Sequence, residues 1–359
     1  MRFLDAGESH GPGLTVILEG MPANLKISPE EIDKDLKLRQ LGYGRGGRQK
    51  IEKDKVQILS GIRQGKTLGS PITLFIENND FKNWSKIMSP ILTTYNLPPT
   101  TKLRPGHADL AGTIKYNQND LRNILERASA RETATRVAIG ALAKKLLSAF
   151  KVKIESKIIS VGEVNVYAKE LNKEAKKAID IAKEDGDTLG GIFEISAKNV
   201  PVGLGSHVHY DRKLDAAIAS SLMSIQAIKA VEIGAGIKSA RRRGSEFHDE
   251  IFYKNGKIVR GSNNAGGIEG GISNGEPIII RAALKPISTL AKALNTVDLK
   301  TKKPTLAHVE RHDICAIESA AVIGEAALAF ELAKALLEKF GGDSIEEILA
   351  HYKASKTSL

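Results

Sequence analysis

The chain has a single cysteine in 359 residues, Cys315. One thiol forms no internal disulfide and builds no cysteine metal cluster, so a reducing, cytoplasmic setting is expected. Aromatic residues make up 5%, too few for the interleaved stacking platforms of a single-strand nucleic-acid binder. No apolar run approaches the roughly 20 residues that a membrane-spanning helix needs, and no basic-then-apolar leader opens the chain, so no membrane partner is expected. A GxxxxGK[ST] loop is absent, as is a GxGxxG fingerprint placed after a strand. No serine nucleophile elbow, a GxSxG turn leading from strand into helix, is expected. The pair His207-Val208-His209 lacks a third ligand nearby, so no metal is expected.

What is present is positive charge, +11 formally. Three readings fit such a surplus: nucleic-acid binding, a lysine-rich surface, or a site that gathers anions. Distribution favours the third. Lysines sit on predicted helix faces, whereas arginines cluster in glycine-rich and polar segments. The planar guanidinium suits carboxylate and phosphate.

Those segments recur along the chain. Gly7-Glu8-Ser9-His10-Gly11-Pro12-Gly13 cannot hold a helix and presents an imidazole on a tight turn. Leu41-Gly42-Tyr43-Gly44-Arg45-Gly46-Gly47-Arg48, with Arg39 just before it, reads as a loop that wraps an anion. Arg104-Pro105-Gly106-His107-Ala108-Asp109 sets a second histidine in a Gly/Pro turn. Arg127, Ser129 and Arg131 stand at or before the start of a helix predicted over 133–150. Backbone N–H groups favour anions there, and two arginines in that position suggest a negative ligand. The segment 263–272 carries two glycine pairs, which suit either backbone lying flat on a ligand or a tight turn. Lys285-Pro286-Ile287-Ser288-Thr289 offers an ammonium and hydroxyls to a phosphate, and Arg311-His312-Asp313 precedes a last long helix.

Between these segments the periodicity predicts strands over 14–18, 56–62, 72–76, 191–196, 231–237 and 277–284. A β-rich stretch is predicted over 152–166. Ser28-Pro29-Glu30-Glu31 announces a helix, with proline at its first position and a capping glutamate. Further helices are predicted over 171–182, from an Asp211 cap to 229, and over 315–339 until Gly341-Gly342 stops the last one. The proline-bearing stretch 78–101 reads as a long surface excursion. No linker divides the chain, so one domain over 1–359 is expected, with 340–359 a short terminal helix and tail.

The ordered set of motifs resembles the chorismate synthase family. Matching residues are Gly7-Glu8-Ser9-His10-Gly11, Arg104-Pro105-Gly106-His107-Ala108-Asp109, Ser129-Ala130-Arg131-Glu132-Thr133, Gly203-Leu204-Gly205, Val231-Glu232-Ile233-Gly234, Ala265-Gly266-Gly267-Ile268 with Gly270-Gly271, Lys285-Pro286 and Arg311-His312-Asp313. The resemblance implies an α+β fold, with helices sandwiched between antiparallel sheets in one large domain. It implies a lyase that removes phosphate from 5-enolpyruvylshikimate 3-phosphate by 1,4-anti elimination, giving chorismate. Reduced FMN is required, without net redox change, through transient electron donation that helps expel the phosphate. Homotetramers are usual in the family.

Residue by residue, the resemblance implies proton handling by His10 near the flavin, His107 at the departing phosphate and Asp313 near flavin N5. Substrate anions would meet Arg39, Arg45, Arg48, Arg104, Arg131 and Arg311. FMN would meet Arg127, Ala128, Ser129, Gln226, Ala227, Gly270, Lys285, Pro286, Ile287, Ser288, Thr289 and Arg311. Arg39 and Arg45 are alternatively assigned to NADPH as the flavin's reductant. Ala128 and Gln226 stand where the family often has serine and asparagine. The competing classes are a basic RNA-binding protein and a flavin oxidoreductase acting on another anionic substrate.

Overall fold

Alternation of apolar side chains builds the first layer. The computed structural model of the protein describes residues 1–47, 51–91, 98–310 and 312–355. Strands β1 (Arg2–Ala6), β2 (Gly13–Glu19), β3 (Val56–Ser60) and β4 (Ile72–Glu77) form an antiparallel sheet in the order β1-β2-β4-β3. Leu14, Val16 and Leu18 of β2 are buried and lie opposite Ile76, Leu74 and Ile72 of β4, which are buried too. A slip of one residue would turn all of β2's buried side chains outward, so the register is fixed by the core.

A second antiparallel sheet comprises β5 (Lys153–Val161), β6 (Val164–Ala168), β7 (Gly191–Lys198), β8 (Ile228–Ile233) and β9 (Ile278–Leu284), in the order β8-β9-β7-β5-β6. Its inner strand β9 alternates in the same way, with Ile278, Ile280, Ala282 and Leu284 buried.

The main helices are α1 (Pro29–Gln40), α2 (Asp109–Tyr116), α3 (Thr133–Ser148), α4 (Lys173–Glu184), α5 (Leu214–Met223), α6 (Ile317–Phe340) and α7 (Ile345–Ser355). Helix α3 packs on β2 and β4 on one side and on α6 on the other; α6 in turn packs on β5 and β7. Helices α1 and α5 fill out this middle layer. The expected sandwich of helices between antiparallel sheets is therefore the observed α+β fold. Alanines let the two central helices approach closely: Ala320, Ala321, Ala326, Ala327, Ala329 and Ala333 of α6 are all buried. Helix α6 is apolar nearly all round because both of its sides are covered.

Local signals explain several ends. Helix α1 starts with Pro29 at its first position, and the Glu31 carboxylate accepts from the Ser28 N–H at 3.0 Å. The expected β-rich stretch 152–166 is the hairpin β5–β6.

One predicted helix is corrected. The segment after Asp211 does not run to residue 229. Tyr210–Arg212 is a 3-10 turn, Lys213 is extended (φ −68°, ψ 129°) and α5 covers only Leu214–Met223. The helix ends at Met223, and beyond it Ala227, in a left-handed conformation (φ 67°), turns the chain into β8. That strand ends at Ile233, and residues 236–241 are a 3-10 helix where strand was expected to continue. Of the excursion 78–101, Phe81–Trp84 is a short helix, and residues 92–97 lie outside the described residues.

Of the glycine pairs of 263–272, the first packs on its own chain: a Cβ on Gly266 would stand 2.3 Å from the Gly234 nitrogen. Gly270, in the second pair, has open space around it.

Candidate active site

Between α3, α6, the two sheets and their loops lies a cavity of about 540 Å³. Its first wall is the turn 7–13. Gly7 (φ 113°) sits where a Cβ would come within 2.4 Å of the Gly13 carbonyl oxygen, so the turn closes only with glycine there. The Asn78 side chain donates to the Glu8 and Gly11 carbonyls at 3.0 and 2.8 Å and pins the turn to the end of β4. His10 thereby faces the cavity.

Its ring is fixed from behind. The Glu126 carboxylate lies 2.9 and 3.0 Å from His10 Nδ1 and accepts the His10 backbone N–H at 2.8 Å. The Trp84 ring covers the imidazole with centroids 4.1 Å apart. Arg122 donates to Glu126 at 2.8 Å, and its guanidinium lies 4.9 Å over Trp84. Burial alone would raise the Glu126 carboxyl, but hydrogen bonds and charge from His10 and Arg122 outweigh it and hold the group below its ordinary value.

The second histidine turn is similarly tied. Arg104 donates from Nε and from a terminal nitrogen to Asp109, at 2.9 and 3.1 Å. Asp109, fully buried at the start of α2, also meets His107 Nδ1 in a short contact. Against the cost of burial, His107 and Arg104 hold the Asp109 carboxyl well below the usual carboxylate range. With Nδ1 engaged, Nε2 is the ring atom left for a ligand.

Three further arginines enter from other elements. Asp54 bridges two of them: it accepts from Arg39 at 2.6 Å and from Arg131 at 2.5 Å. Burial opposes the charge on Asp54, yet the two guanidiniums keep its carboxyl below the ordinary value. Arg131 also donates to Asn78 Oδ1 at 2.8 Å. Arg45 pairs with Asp313 at 2.9 Å, and the Gly46 N–H donates to the same carboxylate at 2.6 Å. The Ile314 N–H donates to the Gly44 carbonyl at 2.7 Å, so the glycine-rich loop and the segment before α6 are laced together.

The remaining wall comes from Ala128, Ser129, Gln226, Ala227, Lys285, Ile287, Ser288 and Thr289. Lys285 Nζ donates to the Gly106 carbonyl at 2.7 Å and so ties this wall to the His107 turn. Burial, and secondly the nearby Lys229, pull the Lys285 ammonium below its ordinary value, which favours an anionic partner. Ala227 holds its left-handed conformation here, at the rim where its carbonyl accepts the Lys285 N–H at 2.9 Å.

Most sequence-expected residues therefore meet in one place: His10, Arg39, Arg45, Arg104, His107, Arg131 and Asp313 all line the cavity. Others stand apart from it. Arg127 turns outward and donates to Asp5 and to the Asp5 and Gly7 carbonyls, so its partner is the protein itself. Gly270 is exposed on a tight hairpin with open space around it, and Pro286 is exposed between two lining residues. Arg48 and Arg311 lie outside the described residues. His207 and His209 sit on an exposed turn, where His209 pairs with Asp211.

Sequence reasoning missed Asp54, Glu126 and Trp84. Glu126 had one local signal, its i,i+4 spacing from Arg122; nothing local tied it to His10, 116 residues away. Three buried polar atoms facing this region have no hydrogen-bond partner among the described residues: Arg39 Nε, Arg45 Nε and Gln226 Oε1. Such atoms are costly unless a polar ligand meets them. Leu125, Leu284, Ile287, Ala316 and Ile323 give the same cavity an apolar side that suits a flat ring.

The model of the chorismate synthase family matches residues 1–337. A chorismate synthase of Thermoanaerobacter pseudethanolicus is 56% identical, with 99% of this chain and 98% of that one covered. One of Geobacter sulfurreducens is 54% identical, with 98% of each covered, and one of Aquifex aeolicus is 54% identical, with 98% and 96% covered. A crystal structure of chorismate synthase superposes with a TM-score of 0.79 at 46% identity, covering 99% of this chain and 96% of the other.

Proposed function

This chain belongs to the chorismate synthase family, and on that premise we propose how its cavity performs the family's elimination of phosphate. As a family member it is a carbon–oxygen lyase of aromatic biosynthesis acting on a phosphate-bearing substrate. The finer reading is that the substrate is 5-enolpyruvylshikimate 3-phosphate and that FMN, in its reduced form, is the flavin. The observation that carries it is the convergence of two histidines, three buried arginines and the half-buried Arg45 on one cavity with an apolar side.

The substrate brings two carboxylates and a phosphate, and FMN adds another phosphate. Arg39, Arg104 and Arg131 offer guanidinium edges already oriented by Asp54 and Asp109, so little reorganisation accompanies binding. Their burial and their carboxylate partners favour the substrate over NADPH as the ligand of Arg39, and the pairing of Arg45 with Asp313 favours the same for Arg45. His107 protonates the departing phosphate from Nε2 while Asp109 steadies the charge on the ring. His10 holds a proton toward the flavin side of the cavity, and Asp313 accepts one on its carboxylate beside Arg45.

The residues present fit FMN: Ser129, Lys285, Ser288 and Thr289 suit a phosphate and polar tail, the unpartnered Gln226 Oε1 suits a ring N–H, and the apolar side suits the ring itself. Reduced flavin, when bound, supplies transient electron density that assists loss of phosphate and is then recovered. A cytoplasmic homotetramer completes the reading; no described helix is long and apolar enough to cross a membrane.

The test is phosphate release under anaerobic conditions from the enolpyruvyl substrate with chemically reduced FMN. Catalytic release without net flavin oxidation is expected. Folded protein that binds reduced FMN but releases no phosphate would refute the reading. Turnover with NADPH and oxidised FMN alone would show that the chain reduces its own flavin.

A further inference from the structure

We propose that Glu126 is the positioning residue for His10: it holds the proton on Nδ1, aims Nε2 into the cavity and stabilises the ring when it becomes charged. The inference rests on the reading of His10 as a proton-handling group. Glu126 is 3% exposed and spends both carboxylate oxygens on residue 10, within 3.0 Å of Nδ1 and 2.8 Å of the backbone nitrogen. A carboxylate only accepts, so Nδ1 must donate, and the remaining lone pair or second proton belongs to Nε2. The Ser9 N–H donates to the Glu126 carbonyl at 3.0 Å, so backbone and side chain together grip the turn.

The Trp84 indole that covers the ring donates its Nε1–H to the buried Asp80 at 3.2 Å, so His10→Ala separates any titration of Asp80 from that of the imidazole. Arg122 pairs with the far side of Glu126 and faces Trp84. On the packing elements Glu8 and Lys82 are exposed, Arg127 points away to Asp5, and Arg131 is engaged by Asp54. Glu126 is thus the carboxylate in direct contact with the imidazole, and Arg122 moderates it from behind. A structural cap would need only the backbone contacts; the paired approach of both oxygens to Nδ1 is what a positioning role requires.

Trp84 makes the proposal readable. It is the only tryptophan in the chain and stacks on His10. A protonated imidazole quenches indole emission strongly, so the intrinsic fluorescence of flavin-free protein reports the charge on His10. The experiment is a fluorescence titration against pH for the native chain, His10→Ala, Glu126→Gln and Glu126→Ala. Native protein should dim on acidification, and His10→Ala should lose that transition. Glu126→Gln keeps the shape and an acceptor but removes the charge, so its midpoint should move to lower pH by on the order of one unit. In turnover, Glu126→Gln should lower kcat roughly tenfold or more with KM little changed.

An unmoved midpoint in folded Glu126→Gln overturns the proposal, as does a moved midpoint with native kcat. Circular dichroism identifies a Glu126→Ala protein that has merely unfolded, and Glu126→Gln then decides. The titration needs neither flavin nor substrate. Failure of phosphate release by the native chain would therefore count against the elimination itself, separately from the coupling of Glu126 to His10.

Discussion

Replacing Asp54 by asparagine isolates the charge that organises two of the cavity's arginines. The substitution keeps the volume and leaves a carbonyl for one guanidinium, but it turns an amide N–H₂ toward the other. Arg39 and Arg131 are 4% and 7% exposed, so neither can recover its loss in water. Removing one partner of a buried ion pair costs about 3–5 kcal/mol, chiefly through the charge left behind. Unfolding entropy of roughly 2 cal/mol/K per residue gives about 0.75 kcal/mol/K for 359 residues. The melting temperature of Asp54→Asn should therefore fall by about 4–7 °C.

The same reasoning predicts rescue. Two guanidiniums deprived of their carboxylate become a site for inorganic phosphate, and phosphate at 100 times its Kd returns about 2.7 kcal/mol, or roughly 3–4 °C. Native protein should gain less from the same phosphate at these two residues. The pH dependence has a definite sign. The folded-state pKa of Asp54 is depressed, so its contribution is complete above the ordinary carboxylate pKa of about 4. It is lost as pH falls through the folded value. The gap between native and Asp54→Asn should be flat from neutral pH down to about 5 and should close below. Calorimetric melts with and without phosphate measure all three. A loss under about 1 °C, or equal phosphate gains in both proteins, would refute the argument.

Two further predictions concern packing. Gly140 faces α6 so closely that a Cβ would stand 2.3 Å from Ala326 Cβ and 2.6 Å from its Cα. Gly140→Ala gains about 1 kcal/mol of helix propensity but incurs overpacking that typically costs 1–3 kcal/mol; with backbone in the way the upper figure applies, and a fall of about 1–3 °C in melting temperature is expected, a rise being the contrary result. Cys315 is 1% exposed, and burial pushes its thiol up to about 11. Against an ordinary value near 9, its thiolate fraction at pH 8 is roughly 100-fold lower, so a disulfide reagent should label one thiol in denaturant and essentially none in the native protein; rapid native labelling would show that the site opens.

Legibility in the sequence followed the range of the interactions. Pro29 and Glu31 mark the start of α1 because a cap is a contact between residues three apart. The alternation in β2 and β9 marks strands because one sheet face is buried. Arg127 and Arg131 have equal claims in sequence, yet one meets Asp5 and the other Asp54 and Asn78. Each of those partners is more than 50 residues away, and no periodicity carries such a pairing. The turn at Ala227 escaped notice for a different reason: an alanine at φ 67° carries no local signature, whereas a glycine there would have ended the predicted helix at once. The family resemblance supplied roles for single residues, Asp313 among them; what it left out was Asp54 and Glu126, and the pairing of each arginine with its carboxylate.

Those carboxylates change how the +11 charge should be understood at the site. Arg39, Arg45, Arg104 and Arg131 each have a carboxylate of the chain as partner, at 2.5–2.9 Å. The cavity is therefore far from a pool of unneutralised positive charge. Four bare guanidiniums so close together would repel one another and would bind any anion. Paired ones are held in a single orientation, and their remaining N–H groups, such as Arg39 Nε and Arg45 Nε, select by direction. The pairing also sets what binding has to overcome: an incoming phosphate must share arginines with Asp54, Asp109 and Asp313. Asp313 is the one of these with a fifth of its side chain exposed, against 0% and 1% for the other two. It is thus the carboxylate best able to loosen its arginine, take up a proton and return it, which is the behaviour proposed for it in the elimination.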